Sequence, residues 1–217
     1  MTMPVINCWI NFSTGPAFAQ AMILDTGLLG TNILADAASL IVDISDQVDS
    51  VTTTRGRNAQ ADVFQTGSMS LRLVDLDASF NPQNEAGPYY GLLTPLRKIQ
   101  ITATYDGTEY PIFSGFITSY QTVTPKFNES VTYTTITAVD AFRLFTNSQI
   151  SNVTLAAAGD NAGERVNAIL DEIAWPPSMR EIQYGSTIMQ ADPGTSRTAL
   201  QALQTATTSE YGAMYIN

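Results

Sequence analysis

The stretch Ile99–Ile117, IQITATYDGTEYPIFSGFI, decides the fold. Ile99, Ile101, Ala103 and Tyr105 recur at period two, which places them on one face of a strand. Asp106 and Gly107 then separate this run from a second, Thr108 to Phe113. A two-residue Asp-Gly connection favours a type I′ turn, whose twist matches that of the flanking strands, so the stretch is an antiparallel hairpin. Gly115 reads as a bulge or bend ahead of Phe116 and Ile117.

Working outward, the same period recurs. Met69-Ser70-Leu71-Arg72-Leu73 alternates, and Val131–Val139 is rich in Thr, Tyr, Val and Ile, the residues that suit a pleated surface. Near the start, Ile6, Cys8, Ile10 and Phe12 share one face. Short strands broken by Gly and Pro turns, without alternating β and α units, indicate an antiparallel β-barrel or sandwich. Between Gly30 and Val51 the pattern fits extended chain or a short helix near Ala35–Leu40.

After about Phe145 the period lengthens towards 3.6. Asn161 followed by Glu164 forms a capping pattern that opens a helix through about Ala174, with Val166, Ile169, Leu170 and Ile173 as its apolar stripe. Pro176-Pro177 stop it. A second helix runs from near Thr195-Ser196 to about Thr207 and buries Ala199, Leu200, Leu203 and Ala206. Gly212 then precedes a strand-like Ala213–Ile216, which would need a partner strand. The expected class is α+β, mainly β. Residues 1–145 form an antiparallel barrel-like domain, and 146–217 a helix-helix-strand region that reads as a small α/β unit or the start of a second domain.

Composition narrows the chemistry. The 217 residues, 44% hydrophobic, suffice for a substantial core. No apolar run approaches the roughly 20 residues of a membrane helix, and no secretory signal is visible. Twenty acidic residues against ten basic ones give a net charge of −10. Every basic residue lies at or after Arg55, while Asp25, Asp36, Asp43, Asp46 and Asp49 precede it. Such a chain repels phosphate backbones, so nucleic-acid binding is not expected. The chain contains no histidine, which removes Ser-His, Cys-His and His-zinc chemistry. The single cysteine, Cys8, excludes an internal disulfide and reads as a small buried hydrophobe.

Four patterns carry candidate chemistry, each beside a plainer reading. Asp75-Leu76-Asp77-Ala78-Ser79-Phe80-Asn81 faintly matches a calcium loop, but Phe80 occupies the place of the turn glycine and Ala86 that of the closing glutamate. A strand end and Asx-type turn is the plainer account. Asp75 and Asp77 at alternate strand positions would stand about 6.6 Å apart, within reach of a glycosidase pair. Arg55-Gly56-Arg57 suits either carboxylates on a neighbouring subunit or a solvated turn. Gly87-Pro88-Tyr89-Tyr90-Gly91 offers two aromatics as an interface or as a cap on the barrel end. No catalytic, cofactor-binding or metal-ligating residue is assigned, and no cofactor is expected.

The order of the pieces resembles the minor tail or baseplate-hub proteins at the tail tip of long-tailed bacteriophages. The similarity covers roughly residues 43 to 216. An Asp-rich strand, Asp43–Asp49, leads to Arg55-Gly56-Arg57, and a small-residue strand, Thr66–Leu73, follows. Phe80-Asn81-Pro82-Gln83-Asn84 matches a turn, Pro88–Leu92 a Pro-Tyr-Tyr-Gly-Leu stretch, and Pro95–Lys98 a strand start. Ile112–Ile117 matches a Leu-Phe-x-Gly-x-Ile strand, and Thr137–Ala141 closes the run. One departure is the turn after the second strand, where Asp75–Ser79 lacks the family's glycine. The resemblance implies a non-enzymatic virion protein at the distal end of the tail, made in the host cytoplasm. It would form a homo-oligomeric ring, a trimer first and a hexamer second, joining the tail tube to the tip or baseplate. Its partners would be other tail proteins: tube, distal tail, tape measure and fibres. A glycan- or receptor-binding β-module is the alternative, which would expose Tyr89, Tyr90 or Tyr110 in a concave patch. A cell-wall hydrolase ranks third.

Overall fold

The computed structural model describes residues 3–13, 40–56, 64–123 and 131–216. They group into two compact units. One gathers the described residues of 1–54 and 68–140, the other those of 55–67 and 141–216.

The first unit is built on a seven-stranded sheet. Its strands are β1 (Val5–Asn11), β2 (Ile41–Asp43), β3 (Val48–Gly56), β4 (Gln65–Val74), β5 (Lys98–Tyr105), β6 (Thr108–Val123) and β7 (Tyr133–Val139). They lie in the order β2-β1-β5-β6-β7-β4-β3, and the pairings from β2 through β1, β5, β6 and β7 to β4 are antiparallel. The hairpin predicted at Asp106-Gly107 is present. Tyr105 pairs with Thr108, and the two turn residues take φ of 50° and 75°, the left-handed pair of a type I′ turn. Alternation decides the core. Cys8, Ile10, Ile99, Ile101, Phe113, Met69, Leu71, Leu73, Ile136 and Ala138 all face inward and are buried.

Gly115 is not the bulge that the sequence suggests. It pairs in register with Ile99, and the ladder irregularities fall at Ile101/Thr102 and Ile117/Ser119. Its reason is close approach: an added Cβ would stand 2.4 Å from the Val139 carbonyl oxygen and 2.8 Å from the Phe113 ring.

Among the described residues the ladder does not close: β2 and β3 are its two edges. The chain nevertheless forces the edges together. Laid flat, seven strands would hold their outer pair about 29 Å apart. From Asp43 to Val48 the chain makes only a short 3-10 turn, Ser45–Gln47, and five residue steps reach at most about 18 Å. The sheet therefore curls into an open barrel, and buried Ile44 plugs the connection. The α+β, mainly-β class is as expected, with an open rather than a sealed barrel.

The second unit contains α1 (Ala141–Asn147), α2 (Ala162–Glu172), α3 (Ala199–Ser209) and a small ladder of β8 (Gln149–Ile150) with β9 (Arg197–Thr198). The predicted capping box of α2 is present: Glu164 N donates to Asn161 Oδ1 and Asn161 N to Glu164 Oε2, both at 2.9 Å. Thr198 and Gln201 cap α3 in the same way, so that helix starts slightly later than its Thr195-Ser196 expectation. Its predicted stripe of Ala199, Leu200, Leu203 and Ala206 is buried. α1 is an addition; seven residues are too few for a helical period to stand out. Residues 212–216 form no strand, which corrects the expectation for Ala213–Ile216. There Gly212 N is committed to closing α3, donating to the Thr207 carbonyl at 2.8 Å. The helix considered at Ala35–Leu40 falls almost wholly outside the described residues.

Candidate functional site

The two carboxylates at the end of β4 separate in the structure. Asp75 is 3% exposed and both its oxygens are engaged. Ser79 N donates to Oδ1 at 2.7 Å, and Phe80 N and the Thr134 hydroxyl donate to Oδ2 at 3.0 and 2.8 Å. Thr134 spends its one proton on Asp75, so Thr122 must donate to Thr134 across 3.1 Å. Asp77, by contrast, is exposed in the turn. β4 ends at Val74, so the two do not share a strand face as a glycosidase pair would. Asp75 organises the turn that seats fully buried Phe80. Ala78 takes φ 51° in this turn, the left-handed conformation that glycine adopts without a Cβ penalty. Among the described residues, no group of three acidic or thiol side chains converges as a metal site.

The tyrosine pair divides between its two readings. Tyr89 closes one end of the core, its ring 5.1 Å from both Phe12 and Phe80. Tyr90 stands half exposed beside it. Tyr110 is also half exposed, and lies elsewhere. It pairs with Ala103, which pairs with Ile6, in a row one step beyond the core rows of β1, β5 and β6. The three tyrosines thus do not make the single concave patch considered from sequence. Arg55 lies near the end of β3, and Arg57 lies outside the described residues.

Cys8 is buried, and burial first, then the nearby Asp43 charge, pushes its thiol up to about 12. It is protonated at any physiological pH and packs as a hydrophobe.

Two features went unread in the sequence. One is a shallow depression of about 460 Å³ on the outer face of the first unit, lined by Trp9, Ile41, Gln100, Thr102, Glu109 and Pro111. Its residues come from four strands, so no local motif announces it. The other is a set of arginine clamps in the second unit. Arg165, 5% exposed, donates to the carbonyls of Ala157 and Gln190 at 2.8 and 2.6 Å, with Asp160 at 3.5 Å. Arg180 pairs with Asp171 at 2.7 Å, and Arg197 pairs with Asp192. Burial pushes the Asp192 carboxyl upward, but the bond from Arg197, the Gly194 amide and the positive charges outweigh it and hold the group below its usual range. These clamps fasten backbone; they do not form a reactive cluster.

No family model matches the chain, and no curated protein does. Among solved structures, it is similar to the prophage MuSo2 43 kDa tail protein from Shewanella oneidensis, with a TM-score of 0.42 and 10% identity over 79% of this chain and 47% of that one. It is also similar to a tail protein from Neisseria meningitidis MC58, with a TM-score of 0.39 and 14% identity over 68% of this chain and 40% of that one. The chain spans less than half the length of either tail protein.

Proposed function

We propose that this chain is a structural phage-tail protein that works through subunit interfaces, at the tail tip, in a ring joining the tube to the tip or baseplate. The observation that carries the proposal is the edge strand β3. It runs nine residues, Val48–Gly56, and β4 is its neighbour in the ladder. Among the described residues its other side has no partner strand, and such a strand presents a row of backbone donors and acceptors that a second chain satisfies by strand addition. The strand also ends at the Arg55-Gly56-Arg57 segment, whose forks suit carboxylates on an acidic neighbour. The ordered run of tail-tip-like segments from Asp43 to Ala141 points the same way. Partners on this reading are further copies of the chain and adjoining tail proteins, and the reading requires no catalytic group.

Antibodies raised against the purified chain and imaged on virions test the location. The expected result is label at the distal end of the tail. Label on the capsid, along the tube alone, or on no particle overturns it. At the interface, Arg55→Glu combined with Arg57→Glu should drive the assembly towards monomers while leaving far-ultraviolet dichroism unchanged.

A further inference from the structure

The depression around Trp9 lies on the outward face of the first unit, and three successive cross-strand rows build it. Trp9 pairs with Asp43 on β2 and Gln100 on β5; Thr102 pairs with Asn7 and Pro111; Thr104 pairs with Val5 and Glu109. These rows alternate with the core rows of Cys8-Ile101-Phe113 and Ile10-Ile99, so their side chains face away from the core. Trp9 is partly buried there, and the part of its indole that lines the depression offers an apolar surface to a ligand.

We infer that this depression binds a neutral saccharide. The lining divides into an apolar half, Trp9, Ile41 and Pro111, and a hydrogen-bonding half, Gln100 and Glu109, while Thr102 between them is buried and its hydroxyl is out of a ligand's reach. A pyranose has the matching division, with an apolar C–H face to lie on an indole and a rim of hydroxyls. The Gln100 amide both donates and accepts, and the Glu109 carboxylate accepts from neighbouring hydroxyls. Among the described residues no basic side chain lines the depression, and the chain carries ten excess negative charges, which disfavours phosphate, sulfate or uronate ligands. The volume of about 460 Å³ falls within the range of small-molecule sites. Its position on a strand face suits a few residues of a longer glycan lying across the sheet. Asp43, in the same row as Trp9, is already engaged: its Oδ1 accepts from Ser45 N at 2.9 Å and from the Ser45 hydroxyl. That leaves Glu109 as the carboxylate available to the ligand. Saccharide binding here does not require the proposed ring.

The chain has two tryptophans, Trp9 and Trp175, and so two indole N–H resonances. Trp175→Phe assigns them. The intact protein is titrated with neutral hexasaccharides of β-1,4-glucose, α-1,4-glucose and β-1,4-N-acetylglucosamine, and separately with hexalysine. At least one hexasaccharide should move the Trp9 resonance saturably while that of Trp175 stays still. Trp9→Ala should weaken this binding by about tenfold or more, equivalent to about 1.4 kcal/mol. Gln100→Ala and Glu109→Gln, which leave the core untouched, should each weaken it severalfold, and they carry the test if Trp9→Ala fails to fold. Three results overturn the inference: no hexasaccharide moves Trp9 at millimolar concentration; binding survives both polar substitutions unchanged; or hexalysine alone moves it, which would make the depression a docking point for a basic protein.

Discussion

The two units satisfy their backbones by different means. In the first, long antiparallel ladders pair the strands, and the buried polar side chains are few: Asn11, Asp75, Thr102, Thr134 and Asp140. In the second, the chain from Trp175 to Ser196 forms only a 3-10 turn at Pro177–Met179 and a single bridge, Asn161 with Ile188. Its carbonyls and amides need partners from outside any ladder. Arginines supply several of them: Arg165 holds the Gln190 carbonyl, Arg180 the Trp175 carbonyl and Arg197 the Thr195 carbonyl. Glu210 does the converse, accepting from the amides of Ser186 and Thr187. A ladder is stabilised by many equivalent bonds, whereas a clamp depends on single side chains. Charge should therefore govern the second unit far more than the first, apart from Asp75.

The exception in the first unit gives the largest effect. Asp75→Ala leaves two amides and the Thr134 hydroxyl without an acceptor in a buried setting. It should destabilise by about 3 kcal/mol or more, read as a shift in the urea midpoint. Next comes Arg165→Met, which keeps the apolar stem but abandons two carbonyls and Asp160. A loss of about 2 kcal/mol is expected. Hydrogen exchange resolved by peptide should place the lost protection in residues 156–192 and leave β5–β6 unchanged. Equal loss across both units would mean that the arginine clamps do not set the second unit apart.

Acid sharpens the comparison. The folded-state pKa of Asp192 lies below its ordinary 3.8, so its contribution to stability is full above that value and is lost as pH falls through the lower, folded one. Lowering pH from 5 towards 3 should raise exchange around Asp192–Thr198 before the ladder of β1, β5 and β6 responds. Arg197→Gln should remove most of that dependence.

The smallest effects are gains. Ala78 ends the Asp75 turn at φ 51°, and Tyr211, almost fully exposed, closes α3 at φ 54°. Glycine takes this conformation without Cβ strain, though it has more freedom to lose on folding. Ala78→Gly and Tyr211→Gly should each stabilise by about 0.5 kcal/mol.

The same contrast explains what the sequence made legible. The β5–β6 hairpin, the strand alternation of Met69–Leu73 and the Asn161–Glu164 cap are local, and each is readable within a dozen residues. Asp75 is different: its acceptor role depends on Thr134, 59 residues away, so its residues read equally as turn, metal loop or acid pair. The open barrel depends on the pairing of all seven strands and on the short path from Asp43 to Val48. No window shows that. Trp9 looked like one more strand residue because its companions, Gln100, Thr102 and Glu109, arrive from the distant hairpin. Arg165 sits on a helix face that periodicity marks as apolar, and only the carbonyls of Ala157 and Gln190 explain its burial.

On the proposed function, the exposed side of β3 receives another copy of the chain. Multi-angle light scattering on the purified chain tests it most directly. The chain of 23.4 kDa should elute as a closed assembly, with about 70 kDa for a trimer and about 140 kDa for a hexamer. Arg55→Glu with Arg57→Glu should return it towards the single-chain mass. A concentration-independent mass of one chain, in the wild-type protein at micromolar and higher concentration, would contradict assembly through β3.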